Sequence, residues 1–400
     1  MSHSPQTPVK GSFWRSVPFQ VIVACGVSFT AVGMWDALGG LGAGGAAEPY
    51  AVSAANAVLY ALFSVVCVTA GVVNNRIGLR YGLAIGAIGY PLYGAGIYTN
   101  NYKANTWFLL FGAAACGISA GFYYAAEAAI IIGYPSPHER AFYLAVWATA
   151  KAAGPIVGGA INLGTNVKRN FAGTISSTTY IIFLVIMCMG LPVALMLSPA
   201  KKVWRKDGTR VVVRLENSWK NEFKAMFKLF LSRRILMLLP AFFISYFYLG
   251  FQSTWQTQYF TVRARALSSF LLFWSHIFVS FLLAAILDRQ TIHIKTRARI
   301  GFALIVTILI GTWIWAIILQ KQFYDSPTKV VLDWDDSRYP SAFLLSFFWY
   351  FGGQGLQQYL YWLVGQYSVN ISSLSHHTGI LRGGSGRADN RLGVSTLPSL

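Results

Sequence analysis

The chain has 400 residues, 55% of them hydrophobic and only 11% charged, with a formal net charge of +19. A soluble domain carries roughly a quarter charged residues, so this composition excludes an ordinary soluble enzyme or binding domain. The cations collect in short clusters between long neutral runs, and their excess therefore needs no nucleic acid to explain it.

In chain order, Ser16–Trp35, Pro49–Asn75, Tyr81–Tyr102, Ala104–Ala126, Asn170–Ala200, Ile235–Val262, Ala266–Leu287 and Ile300–Gln320 contain no Asp, Glu, Lys or Arg. Ala342–Val364 is a further run, and Ala141–Leu163 is another interrupted only by Lys151. Each covers the roughly 20 residues needed to cross a bilayer core. Backbone in lipid must satisfy its own hydrogen bonds, and the runs lack the period-two alternation of barrel strands, so they are helices. The fold class is all-α, a polytopic helical membrane protein with about ten transmembrane helices, six before and four after a long polar segment. It is an integral, multi-pass protein whose main partner is the lipid bilayer; plasma membrane and endomembrane are both open. The first run is long enough to span and lacks a small-residue cleavage site, so it reads as a retained helix. With the N-terminus in the cytoplasm, 23 Lys and Arg fall on the cytoplasmic side and 8 on the other. That is the positive-inside bias, and it sets the orientation.

The organisation follows. Residues 1–15 form a cytoplasmic segment and 16–197 a six-helix half. Residues 198–234 form a basic loop between the halves. Residues 235–367 form a four-helix second half, and 368–400 a Ser- and Gly-rich tail whose composition predicts disorder. Within the basic loop, Leu215, Trp219, Phe223, Phe227 and Phe230 recur at helical spacing, with Lys220, Lys224 and Lys228 on another face. This pattern suits a helix on the cytoplasmic membrane surface, its cations near anionic lipid, or alternatively a helix that binds a regulator.

The turn after the second span, Gly71-Val72-Val73-Asn74-Asn75-Arg76-Ile77-Gly78-Leu79-Arg80, resembles the signature loop of the major facilitator superfamily. Gly71, Arg76, Gly78 and Arg80 match; Asn75 stands in place of an acid. The glycines permit a tight turn, and the arginines supply charge-assisted bonds that lock the cytoplasmic face. A generic positive-inside turn is the plainer reading. Asp288-Arg289 begins the corresponding loop of the second half, which fits an internal repeat. In the fifth span, Gly154-Pro155-Ile156-Val157-Gly158-Gly159 is similar to a motif of proton-coupled exchangers in the same superfamily. Its proline bends the helix and its small residues allow close packing.

Intramembrane charge is the remaining signal. Glu127 lies in the fourth span and Lys151 mid-way in the fifth, and an isolated charge there costs at least ~2.5 kcal/mol. The two either line a pathway or hold the fourth and fifth spans together as a static pair. Asp36 joins the pathway candidates, or sits at the membrane interface with Trp35 as an aromatic anchor. The four cysteines lie in spans without metal spacing and read as packing residues. His138, His276, His293, His376 and His377 read as incidental. No enzyme motif, metal site or cofactor is indicated.

Gly33-Met34-Trp35-Asp36-Ala37-Leu38-Gly39-Gly40-Leu41-Gly42-Ala43-Gly44-Gly45 resembles the first-helix signature of the uncoordinated-ninety-three-like branch of that superfamily, fungal members especially. Gly158–Gly164, Asp336–Tyr339 and Tyr361–Gly365 are also similar to it. The resemblance covers roughly residues 15–367 and implies a fold of two six-helix halves. It implies a secondary transporter-like protein moving a small molecule or ion by alternating access, with no named substrate. The alternative is a non-transporting regulator or accessory subunit of a channel or trafficking complex, and a third reading is a defective truncated product. Two more helices are expected after Tyr367, where a polar tail stands. A shortened gene model is the simplest account, and a genuine ten-span variant the other. Gly352, Gly353, Gln354, Gln357 and Gln358 are then expected to lose packing partners and weaken the second half. Asn370-Ile371-Ser372 is the one Asn-x-Ser/Thr sequence in the chain. The orientation leaves it cytoplasmic, so glycosidase treatment of the protein from its native membrane should leave its mobility unchanged. A glycan at Asn370 would reverse the orientation.

Overall fold

The computed structural model describes residues 12–40, 49–166, 177–205, 207–211, 224, 227, 231, 233–326 and 330–367. In chain order, α1 (Val17–Val27), a π-helical turn at Ser28–Gly33 and α2 (Met34–Gly40) make one continuous rod. The first half continues with α3 (Pro49–Ile77), α4 (Leu79–Lys103), α5 (Thr106–Gly133) and α6 (Arg140–Asn166). Its last rod is α7 (Ser177–Cys188) followed by α8 (Gly190–Leu195). The second half comprises α9 (Arg233–Tyr259), α10 (Val262–Leu287), α11 (Ile294–Tyr324) and α12 (Tyr339–Tyr367). The described residues thus form six rods and then four, with isolated bridges and no strand. Seven of the rods are long and apolar enough to cross a membrane by length and composition alone. α4 and α12 are diluted by Gly, Asn, Gln and Tyr, and the apolar stretch Tyr180–Leu195 is shorter.

Local sequence sets the helix ends. Ser16 caps α1 by accepting from the Phe19 amide, with Pro18 in the first turn. Asn105 Oδ1 accepts from the Phe108 amide at 3.0 Å to start α5. Thr261 caps α10 in the same way. Gly78, at φ 95°, makes the α3–α4 turn, a conformation in which a side chain would be strained.

Small residues let the helices approach closely, which is how helices associate in membranes. A Cβ on Gly89 or Gly112 would strike backbone across the α4–α5 seam, and one on Gly121 would strike α3. α6 touches three neighbours through its small residues. Gly154 lies on Gly33 of the π turn, Gly158 on Ala37 of α2, and Gly159 on Phe270 of α10 in the other half. Pro155 lies inside α6 and has no N–H to offer the Lys151 carbonyl. That carbonyl lies 3.3 Å from where a Cβ on Gly33 would stand.

The start of the inter-half loop is tied down. The Trp204 amide donates to the Arg15 carbonyl at 3.0 Å, and the Val17 amide to the Trp204 carbonyl at 3.2 Å. Arg205 donates to the carbonyls of Tyr134 and Gly133 at the end of α5, a favourable place for a cation. The amphipathic stretch 215–230 lies outside the described residues except for Lys224 and Phe227, which are helical and exposed. Residues 41–48, the tail 368–400 and Asn370 also lie outside them.

The halves differ in how well they are covered. In the best apolar window of each rod, 78% of Val17–Leu38 is buried, against 27% in α9 and 22% in α11. α7 and α8 cover α1 and α4, with Val193 against Gly26 and Met187 against Gly94. No described element takes the matching place beside α9 and α11. The residues expected to lie bare are not the ones that do. Gln354, Gln357 and Gln358 are buried, Gly352 packs on Leu309, and Gly353 on Tyr248. α12 is the centre of its half, so its contacts come from α9, α10 and α11. The uncovered surface is instead the apolar flank of α9 and α11, including Met237, Ile244, Phe251, Ile314 and Ile317. Hydrogen exchange in detergent should show α9 and α11 opening before α1–α6; equal protection of the two halves would sink that expectation.

Candidate functional site

Glu127 is buried in α5, and its Oε1 is met by three donors from two other rods and its own helix. The Ser28 hydroxyl reaches it from the first residue of the π turn, the Tyr123 hydroxyl from one turn earlier on α5, and Trp147 Nε1 from α6 at 2.5 Å. Bonds to a charged group contribute about 1.5–3 kcal/mol each, so the three offset part of the cost of burying the carboxylate. Lys151 follows Trp147 by one turn and is buried as well. Its Nζ lies 5.7 Å from the centre of the Trp147 ring and 5.9 Å from that of Tyr124, within cation–π range. Its charge acts on both the Glu127 carboxylate and the His276 imidazole.

His276 belongs to α10, across the seam between the halves. Its ring lies 6.2 Å from Tyr350 of α12, and Tyr361 of α12 meets Trp147 edge-on at 6.2 Å. A void of about 10 Å³ lies among Tyr124, Glu127, Leu144, Trp147 and Tyr361, room for about one water. Asp36, half-buried on α2, interacts electrostatically with Tyr90 of α4 and Tyr350 of α12. Beside it Trp35 packs on Tyr60 and Tyr93, inside the bundle. The structure therefore gathers Glu127 and Lys151 with groups of the second half and places Asp36 one layer outward.

A second contact between the halves lies at the end that the charge bias assigns to the cytoplasm. Asp288 follows α10, and its two carboxylate oxygens accept from the Ala141 and Phe142 amides at 3.2 and 2.7 Å. Those amides open α6, where the helix end favours an anion. Beside them Arg140 donates to the Gly365 carbonyl of α12. Burial pushes the Asp288 carboxyl up to about 6, against the pull of the Phe142 and Ala141 amides and of the Arg297 and His138 charges. Arg289, its neighbour, instead donates to Thr291 within its own loop, 3.2 Å away.

The first-half loop sits differently. Gly71 and Asn75 are buried, Arg76 and Arg80 half-buried, and Asn74 donates to the Phe122 carbonyl of α5 at 3.0 Å. The described contacts of this loop hold it to its own half, whereas Asp288 reaches across. Among the described residues no cluster of His, Cys, Asp or Glu suits a metal ion.

Reading the sequence missed His276, taken as incidental, along with Ser28, Trp147, Tyr350 and Tyr361. Two signals were available. Tyr123 precedes Glu127, and Trp147 precedes Lys151, by four residues each, so each shares a helix face with its charge.

The Major Facilitator Superfamily model matches residues 17–382 of the chain. Notoamide biosynthesis cluster protein O' of Aspergillus versicolor is 36% identical over 377 residues, covering 94% of this chain and 82% of that protein. UNC93-like protein 1 of Arabidopsis thaliana is 30% identical, covering 92% and 82%. Among solved structures, a bacterial homologue of the iron transporter ferroportin aligns with a TM-score of 0.63 at 10% identity, covering 95% of this chain and 92% of that one. The Escherichia coli fucose:proton symporter gives 0.61 at 12%, covering 96% and 93%.

Two expectations follow. Glu127→Gln and Lys151→Met together should destabilise less than the sum of the single changes, by ~0.5 kcal/mol or more in a double-mutant cycle. Additive effects would separate the two residues. For Asp288, a carboxyl whose pKa is raised in the closed form binds its proton more tightly there than when solvated. This contribution to closure is therefore fully present below the ordinary carboxylate value of 3.8 and is lost as pH rises from there through about 6. The exchange protection factor of the first turn of α6 should fall over that range, and Asp288→Asn should flatten the dependence.

Proposed function

Because the chain belongs to the Major Facilitator Superfamily, and within it to the UNC93-like proteins, we propose that it moves a small solute across the membrane by alternating access. It is an integral, multi-pass membrane protein and not an enzyme. The observation that carries the proposal is the placing of Lys151. Every donor to Glu127 comes from the first half, so that carboxylate stays satisfied when the halves separate. Lys151 is different, because Trp147, whose ring it lies over, meets Tyr361 of α12 edge-on across the seam between the halves. Rocking the halves parts that ring contact and opens the aromatic wall around Lys151 to a solute or water entering between them.

The other residues take supporting roles. Gly159 lets α6 lie close on α10 where the halves turn, while Gly154, Pro155 and Gly158 seat α6 on the first rod. Asp288, with the Arg140–Gly365 bond, closes the cytoplasmic end. Gly71, Asn75, Arg76, Gly78 and Arg80 brace the first-half side of the same gate, and Asp36 lines the outer approach. The basic loop between the halves holds anionic lipid at the cytoplasmic surface.

The small size of the void, about 10 Å³, favours the second reading, a non-transporting regulator whose centre stays closed. The two readings differ in whether the centre ever becomes wet. Ala128 borders the void, and Ala128→Cys, in a chain whose natural cysteines are replaced, reports on it. A transporter should label with an impermeant maleimide from the outer side. It should also label from the cytoplasmic side once Asp288→Ala or Arg76→Ala weakens closure. No labelling from either side in any variant would leave the regulator.

A further inference from the structure

On the first-half side, the cytoplasmic contact between the halves is made by one short stretch of chain. Gly365 of α12 rests on Ile132 in the last turn of α5, where a Cβ on the glycine would come within 2.6 Å. Its carbonyl accepts from Arg140, the first residue of α6, and the next two amides go to Asp288. Residues 132–142 thus carry these contacts on the ends of two helices. They meet the second half together only if the last turn of α5 and the first turn of α6 keep one relative orientation.

α5 cannot set that orientation alone. Pro135 and Pro137 follow its end, and Pro137, four residues after Gly133, has no N–H to give the Gly133 carbonyl. The missing donor comes from the loop between the halves. Arg205 Nη2 donates to the Gly133 carbonyl at 3.1 Å, and its Nε to the Tyr134 carbonyl at 2.9 Å. A planar guanidinium on two successive carbonyls fixes both peptide planes, and with them the direction in which the chain leaves α5. Arg205 is placed in turn by a short hairpin. Its amide donates to the Thr209 carbonyl at 2.9 Å, and the Val211 amide to the Val203 carbonyl at 3.1 Å. Val203 and Val211 are buried, and Trp204 is tied to the start of the first rod. Arg205 is no counter-ion for Arg140, because the two charges oppose one another; what it supplies is its two bonds.

We propose that Arg205 is a positioning residue for closure of the cytoplasmic end. It fixes the exit of the chain from α5, so that Ile132, Arg140 and the first amides of α6 reach Gly365 and Asp288 together. The loop between the halves then does more than join them, because a pull on its hairpin reaches the closure. This role rests on the alternating-access reading, but the closed contact can be measured without a solute. The labelling result at position 128 and the exchange result below therefore fail separately.

The test is hydrogen exchange of the whole chain in phosphatidylcholine nanodiscs at a fixed pH, read at the Ala141 and Phe142 amides, with melting followed for each variant. Arg205→Gln should lower their protection about tenfold, in line with loss of charge-assisted bonds. Arg205→Lys keeps a cation that reaches one carbonyl but lacks the planar fork, and should lower it only about threefold. Arg210 belongs to the same hairpin and covers the Trp204 ring at 4.3 Å; Arg210→Gln should leave the protection unchanged. On an Asp288→Asn background, where the two amides have already lost their carboxylate, Arg205→Gln should change it less than about twofold. Unchanged protection in Arg205→Gln overturns the proposal. So does a rise, which would make repulsion of Arg140 the larger effect. An equal fall in Arg210→Gln would assign the effect to folding of the hairpin, and a full fall on the Asp288→Asn background to fraying of α6 by itself; either result overturns the positioning role.

Discussion

Hydrocarbon offers a charge no hydrogen bonds, and Glu127 and Lys151 both lie where only the protein can solvate them. Much of the first half follows from that constraint. Three donors must converge on one carboxylate oxygen, and they come from the first rod, α5 and α6. The first rod must approach α6 closely enough for Ser28 to reach Glu127. It does so where Gly33 meets Gly154, and in the turn where its backbone is π-helical. π turns cluster at functional positions, and here the turn begins at the residue that binds the carboxylate. Pro155 adds to this by leaving the Lys151 carbonyl without its helical donor at that crossing.

The halves divide the chemistry unequally. Intramembrane charge sits in the first half, with its donors built in. The second half answers with rings and amides: His276, Tyr350, Tyr361 and the glutamines of α12. Gln358 holds Ser280, and Gln354 holds Tyr248 at 3.0 Å, so α12 is cemented by side-chain bonds that its glycines bring within reach. Among the described residues the flank of α9 and α11 is the thinnest part.

The rods were legible because an uncharged run of about 20 residues has few fates. Their order, and the close packing of Gly154, Gly158 and Gly159, belong to the same kind of signal, one carried along a single helix. Partners from distant segments were not legible. Nothing near Ser28 marks it as a ligand of a residue 99 positions away. His276 sits in a charge-free run and looks inert until α10 is laid against α6. The α12 glutamines failed as an expectation for a related reason: their polarity was readable, but which face of the half α12 occupies depends on its three neighbours.

Asp288 grips α6 by main-chain amides, not by side chains. Position 142, half exposed, is therefore free to vary as long as its amide remains, whereas 141 is held small by burial and position 288 tolerates only a short acceptor. Two orthologous chains could differ at position 142 and still make this contact alike. A search for paired substitutions across the two halves would pass over the contact, because one of its partners is written in no residue's identity.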